Sequence, residues 1–177
     1  SSVLAQNEAG AIDMGESLIH PASPLYFLKA IREKIEVAFA GTKKVKAKRY
    51  LEFSQRRLRE VNALVKNKRQ DLIDSTLERY KAALVETENL VSQDEDLKMQ
   101  VGEAVARHLD VLQRIYDQVG NPRAKQAIRA AVEKDEKYNR PLACKFLAKE
   151  ATASGLNDTE KVYLGKKAKD CQKNIQP

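Results

Sequence analysis

Ile19–Gly41 reads I-H-P-A-S-P-L-Y-F-L-K-A-I-R-E-K-I-E-V-A-F-A-G. His20-Pro21 predicts an extended lead. Ser23 predicts a helix N-cap, with Pro24 at the first helical position, where its missing N–H costs nothing. Leu25, Leu28, Ile31 or Arg32, Ile35 and Phe39 then recur every three to four residues, the period of one apolar helix face. Gly41 is expected to end the helix in a left-handed conformation.

Stripes of the same period continue downstream. Ala47, Tyr50, Leu51, Ser54, Leu58, Val61 and Leu64 or Val65 mark a second helix from about Thr42 to Lys66. After the polar break at 67–70, Leu72, Ile73, Leu77, Tyr80, Leu84, Thr87 and Val91 mark a third. Ser92-Gln93-Asp94-Glu95 has the spacing of a capping box and predicts a fourth helix starting at Ser92. Its stripe runs from Leu97 through Val101, Val105, His108 or Leu109 and Leu112 to Tyr116 and Val119. Gly120-Asn121-Pro122 reads as a stop and a restart. Pro141 predicts a kink or break, because it lacks a backbone donor and clashes with the turn behind it. Gly155 ends that segment, and Asn157 or Asp158 caps a last helix. No internal repeat is apparent.

The predicted fold is therefore all-α: an elongated array of five to seven antiparallel amphipathic helices. Three parts are expected: a flexible lead over 1–22, a helical domain over 23–120, and a helical hairpin over 121–177 packed on it. Composition agrees. Only 7 Gly and 5 Pro occur in 177 residues, 32% of residues are charged and 6% aromatic, too few turn formers for a β-sandwich. No run approaches the ~18 apolar residues of a membrane span. The start, S-S-V-L-A-Q-N-E, admits two readings: the tail of a removed signal peptide, or an artificial Ser1-Ser2 extension.

Charge is dealt in blocks. Residues 43–69 hold eleven bases and two acids, a net +9; residues 71–110 hold ten acids and four bases, a net −6. One account is structural, with the basic second helix lying antiparallel to the acidic third. The other leaves Lys43, Lys44, Lys46, Lys48, Arg49, Arg56, Arg57 and Arg59 as a patch for an anionic partner: lipid headgroups, an envelope polymer or nucleic acid. Nucleic acid fits poorly, since neither interleaved exposed aromatics nor a helix-turn-helix or zinc-finger spacing is present.

Catalytic constellations are not visible. The chain has no Gly-x-Ser-x-Gly elbow, no Gly-rich phosphate loop and no His-Glu-x-x-His. His108 lies on an apolar stripe or at its edge and is expected to be a packed or edge residue; His20 sits in a predicted loop. Asp94-Glu95-Asp96 suits a helix N-terminus electrostatically, and Glu133, Asp135 and Glu136 lack the pattern of a calcium loop. No catalytic residue, cofactor or metal site is expected. Cys144 and Cys171 are core thiols if the protein is cytosolic and a disulfide if it is exported. In a hairpin turning at 155–157 the two would reach similar heights at about 1.5 Å per residue.

Two stretches carry a resemblance. Pro21-x-Ser23-Pro24-Leu25-Tyr26-x-Leu28-Lys29 and the basic helix Leu51-Glu52-Phe53-Ser54-Gln55-Arg56-Arg57-Leu58-Arg59-Glu60 resemble a bacterial domain family of unknown function. That family has a P-x-S-P-L-Y-x-L-K opening and an L-x-x-A-x-x-R-L-x-E helix. The resemblance covers about 19–92, and Ser54 departs from the usual Ala. It implies an all-α fold, an extracytoplasmic location and no catalytic residues to transfer. With that location it favours the Cys144–Cys171 pairing and the signal-peptide reading of Val3-Leu4-Ala5. The expected function is non-catalytic: interaction with another protein, or self-assembly, at the bacterial envelope or surface. The alternative is electrostatic attachment to an anionic surface through residues 43–69.

Overall fold

The computed structural model describes residues 21–173. The predicted lead over 1–22, His20 and the start of the chain lie almost wholly outside them. The described residues form seven α-helices and one short 3₁₀ turn, and the fold is all-α. The helices are α1 (Tyr26–Ala38), α2 (Lys43–Lys66), α3 (Ile73–Val91), α4 (Glu95–Gln118), α5 (Pro122–Asp135), α6 (Arg140–Ala151) and α7 (Asp158–Lys173).

Local signals set most boundaries. Thr42 Oγ1 accepts from Val45 N at 3.2 Å and starts α2. Asn121 Oδ1 accepts from Ala124 N and precedes Pro122 at the start of α5. Pro141 makes a break rather than a kink. It sits in the first turn of α6, whose N-cap is Asn139, the turn in which a proline costs no hydrogen bond. Gly155 adopts φ +84° between α6 and α7.

Three terminal signals resolve differently. The N-cap of α4 is Asp94, whose Oδ1 accepts from Leu97 N at 2.9 Å, while Ser92 is the C-cap that closes α3. A carboxylate two residues nearer the apolar run outcompetes the serine, because it also meets the positive end of the helix dipole. Ser23 caps no helix. Its hydroxyl accepts from Leu25 N at 3.2 Å in a preceding turn, and α1 begins at Tyr26. Gly41 is not left-handed: among the described residues only Gly155 and Lys68 have positive φ. The helix has already ended at Phe39, so no left-handed residue is needed.

The expected array closes on itself over four of its helices. α2 packs on α3, α3 on α5, α5 on α4 and α4 on α2. This ring encloses one core that includes Leu58, Val61, Leu64, Ile73, Leu77, Leu84, Val105, Leu112, Ile115, Ile128 and Val132. Burying a Leu or Ile side chain in such a core contributes about 1.5–3 kcal/mol. The α6–α7 hairpin adds Phe146, Leu147 and Leu164 to the same core. α1 lies outside the ring against α2 and contributes no buried residue.

The α2–α3 seam is apolar, unlike the complementary charge seam suggested by the sequence. Paired charges run elsewhere. Arg56 and Arg57 of α2 reach α1, and Asp74 and Glu88 of α3 reach Arg123, Lys134 and Lys137 around α5.

Candidate functional site

The first unusual feature is the orientation of α1. Its predicted apolar stripe faces outward: Leu28, Ile31 and Ile35 are about half exposed, Phe27 is 58% exposed and Phe39 85%. The face turned to α2 is polar: Tyr26, Lys29, Glu33 and Glu36. Those four recur at helical spacing, so one stripe of α1 grips the bundle while the opposite arc is left to solvent. A surface helix ordinarily turns its apolar stripe to the core; α1 does the reverse.

The polar grip is densely bonded. Tyr26 donates its hydroxyl to Glu60 at 2.9 Å and accepts from Arg57. Lys29 also pairs with Glu60, which is fully buried, and Arg57 pairs with Glu33. Arg56 spans Glu36 at 3.1 Å and Glu52 at 2.9 Å, and its guanidinium lies 5.0 Å from the Phe53 ring. Arg79 of α3 stacks over the Tyr26 ring at 4.7 Å. Burial holds the Tyr26 hydroxyl well above its ordinary value, with Glu60 adding to the rise. Burial also raises the Glu33 carboxyl despite Arg57 and Arg56. For Glu36 the slight burial is outweighed by hydrogen bonds from Arg56 and Arg32, and its carboxyl titrates lower than usual.

Tyr26 and Lys29 come from the opening stretch, Arg57 and Glu60 from the basic helix. The two stretches that carried the resemblance thus meet in one buried cluster. Their chemistry is mutual satisfaction: buried charges must be paired and hydrogen-bonded.

The candidate anionic patch is divided by the same packing. Lys43, Lys44, Lys48 and Arg49 are exposed, with Lys46 partly so. Arg56 and Arg57, only 14% and 5% exposed in their side chains, are spent on α1. Arg59 is partly buried. Reversing the charge at Arg56 or Arg57 would therefore attack the fold rather than a surface.

A second polar cluster lies inside the bundle. Tyr80 donates to Asp135, 2.7 Å from Oδ2, and its hydroxyl is 3.1 Å from His108 Nδ1. The three come from α3, α5 and α4, and all are fully buried. His108 Nε2 has no partner among the described residues. Burial, with Arg107 adding to it, pushes the imidazole down to about 3, so it is neutral at pH 7. Burial pushes the Asp135 carboxyl well up, against the opposing pull of the Tyr80 hydrogen bond and Lys134. The cluster joins three helices inside the bundle. His108 was expected to be a packed or edge residue, and it is packed. Asp135 gave no such sign beside Glu133 and Glu136, since a charged run reads as surface. The three acids point to three places: Glu133 to Tyr163, Glu136 to Arg140, Asp135 to Tyr80.

Cys144 and Cys171 stand with sulfurs 2.07 Å apart and Cα atoms 5.5 Å apart, across the α6–α7 hairpin. The Glu136 carboxylate is nearby, but joined sulfurs are not thiolate ligands. A groove of about 250 Å³ between α5 and α7 is lined by Arg129, Glu133, Glu160 and Tyr163. Arg129 is held there by the Tyr116 hydroxyl at 3.1 Å and by Glu160 at 3.5 Å. Such a groove is smaller than most small-molecule sites, which run from about 300 Å³ upward. No helix is long and apolar enough to cross a membrane among the described residues.

Comparison with curated proteins and with solved structures finds no match. A family model does match, over residues 18–122, from the opening stretch through α4 to the first residue of α5. The chain belongs to the family described as a domain of unknown function (DUF5667).

Proposed function

We propose that this protein works by docking rather than by catalysis, as a non-catalytic helical component of the bacterial envelope or surface. The outward apolar face of α1 carries this reading. A 13-residue helix that turns its polar side to its own bundle and its apolar side to water is stable only because the polar side is richly bonded. The cost of leaving five or six large apolar side chains in solvent is offset if a partner covers them. The buried ionisable groups support the same reading, because Tyr80, His108 and Asp135 are engaged with one another and Arg57 with Glu33 and Glu60; the groove that Arg57 lines holds about 210 Å³, below the ~300 Å³ at which small-molecule sites begin.

Location outside the cytoplasm is part of the proposal. It is supported by the cysteine pair, since structural disulfides persist in oxidising compartments. A thiol count on denatured, unreduced protein should give none; two free thiols would remove that support.

Docking itself is tested in the native host with a photo-crosslinking residue at Ile35 and, as control, at Asp117 on the exposed side of α4. Adducts to another envelope component should form at position 35 and not at 117. Equal yields at both positions, or none at either, would end the docking reading.

A further inference from the structure

We infer that the partner of α1 is the surface of an anionic lipid bilayer, on which the helix lies flat with Leu28, Ile31, Ile35 and Phe39 immersed; the inference rests on the docking reading above. The argument is one of shape and charge sign. Among the described residues α1 is the most amphipathic helix. At about 100° per residue, Phe27, Leu28, Ile31, Ile35, Ala38 and Phe39 share one arc, and Arg32 and Lys34 fall on its two flanks. Glu33 and Glu36, the acids of α1, are turned to α2 and paired with Arg57 and Arg56. Exposed residues from 22 to 49 consequently include Arg32, Lys34, Lys43, Lys44, Lys48 and Arg49 and not one acid. Arg32 shares its charge with Glu36 at 2.7 Å and Arg49 with Glu52 at 3.2 Å; four lysines remain. Lys43 and Lys44 follow Phe39 by only four and five residues, at the start of α2.

An apolar arc with cations on both flanks is the pattern of a helix lying in the interfacial plane. The long cationic side chains reach back to the phosphates while the apolar arc sinks below them. At 13 residues α1 is too short to span, so it lies on the surface and the bundle stays in water. A second copy of this chain fits less well. Two such arcs packed face to face would set one basic rim against another, and like charges facing across an interface are strongly unfavourable.

The test is vesicle co-sedimentation of the full chain, with phosphatidylcholine vesicles and with vesicles also containing phosphatidylglycerol. Binding is expected to the mixed vesicles and to fall as salt rises. Ile31→Ser and Ile35→Ser should each weaken it about tenfold, and Lys34→Glu and Lys44→Glu about fivefold each at low salt. Met99→Ser, at an apolar residue of α4 that is 63% exposed, should change nothing, and circular dichroism should show all five variants helical. Four results would overturn the inference: no binding, binding unchanged in the isoleucine variants, equal binding to neutral vesicles, or a solution dimer that those variants dissolve. So would failure of an apolar dye to reach α1 in the full chain, since another segment would then already cover the face. Protein adducts at position 35 without vesicle binding would leave the docking reading standing and sink only the lipid assignment.

Discussion

The α1–α2 seam and the α2–α3 seam are built from helices of similar sequence pattern, yet they invert one another. Between α2 and α3 the apolar stripes meet: Leu58, Val61 and Leu64 face a helix carrying Leu77, Tyr80 and Leu84. Between α1 and α2 the polar stripes meet, and the apolar residues of α1 point to solvent. Amphipathicity tells a helix that it has two faces. Which face turns inward depends on what the neighbour offers, and α2 offers α1 the buried charges Arg57 and Glu60.

The largest effects should come from emptying each seam. Glu60→Ala leaves Lys29 and Arg57 short of a buried counter-charge and should cost about 3–5 kcal/mol in urea unfolding. Leu84→Ala in the apolar seam should cost about 2–5 kcal/mol through the cavity it opens. The distinction lies in repair. Glu60→Gln should recover part of the loss at the polar seam by restoring a hydrogen-bond acceptor, whereas no polar substitute should rescue position 84.

Acid should probe the polar cluster inside the bundle. His108 binds its proton at about pH 3 when folded and near its ordinary 6.5 when unfolded. Between those values the unfolded state holds more protons, so stability should fall as pH drops from 6.5 toward 3, by several kcal/mol in total. Asp135 acts in the opposite sense. Its raised folded value means that its contribution is present below pH 3.8 and is lost as pH rises above that. His108→Asn should flatten the acid limb of a stability-versus-pH profile. A limb as steep as the parent's would assign the acid sensitivity to other groups.

Helix starts give a smaller contrast. Asp94→Ala should cost about 1 kcal/mol, the usual value of a lost N-cap, and Ser92→Ala within about 0.5 kcal/mol of nothing. The reverse ranking would restore the capping box at Ser92. The smallest effect should be Ile35→Ser, within about 0.5 kcal/mol in thermal unfolding, although the same change in the α2–α3 seam would be severe. A loss comparable to that of Leu84→Ala would mean that α1 is covered by its own chain.

A range of five to seven helices and most boundaries were legible because they are local. Thr42, Asn121, Pro122, Pro141 and Gly155 act on the backbone within a turn of themselves, and apolar period is a property of a dozen neighbouring residues. Ser92 misled because Asp94, two residues on, is the stronger acceptor at that helix end. The buried polar clusters were not legible. Arg57 and Glu60 read as two more charges in a basic segment, and Asp135 as one acid among three. Their burial depends on Tyr26, Lys29 and Tyr80, which are 31 to 55 residues away. The bases of α2 looked like one patch until the fold sorted them, spending Arg56 and Arg57 inward and leaving Lys43, Lys44 and Lys48 outside.

By itself, then, the amino-acid order determined that this chain is a set of amphipathic helices, where most of them begin and stop, and that two cysteines lie at matching heights in a hairpin. Only the tertiary structure decided that four helices close into a ring, that Tyr80, His108 and Asp135 meet inside it, and that α1 shows its apolar face to the outside. The physical reason is range. Hydrogen-bonded caps and helical period are decided over a few ångströms of contiguous chain, whereas the partner of a buried charge is decided by which distant side chains can reach it once water has been excluded.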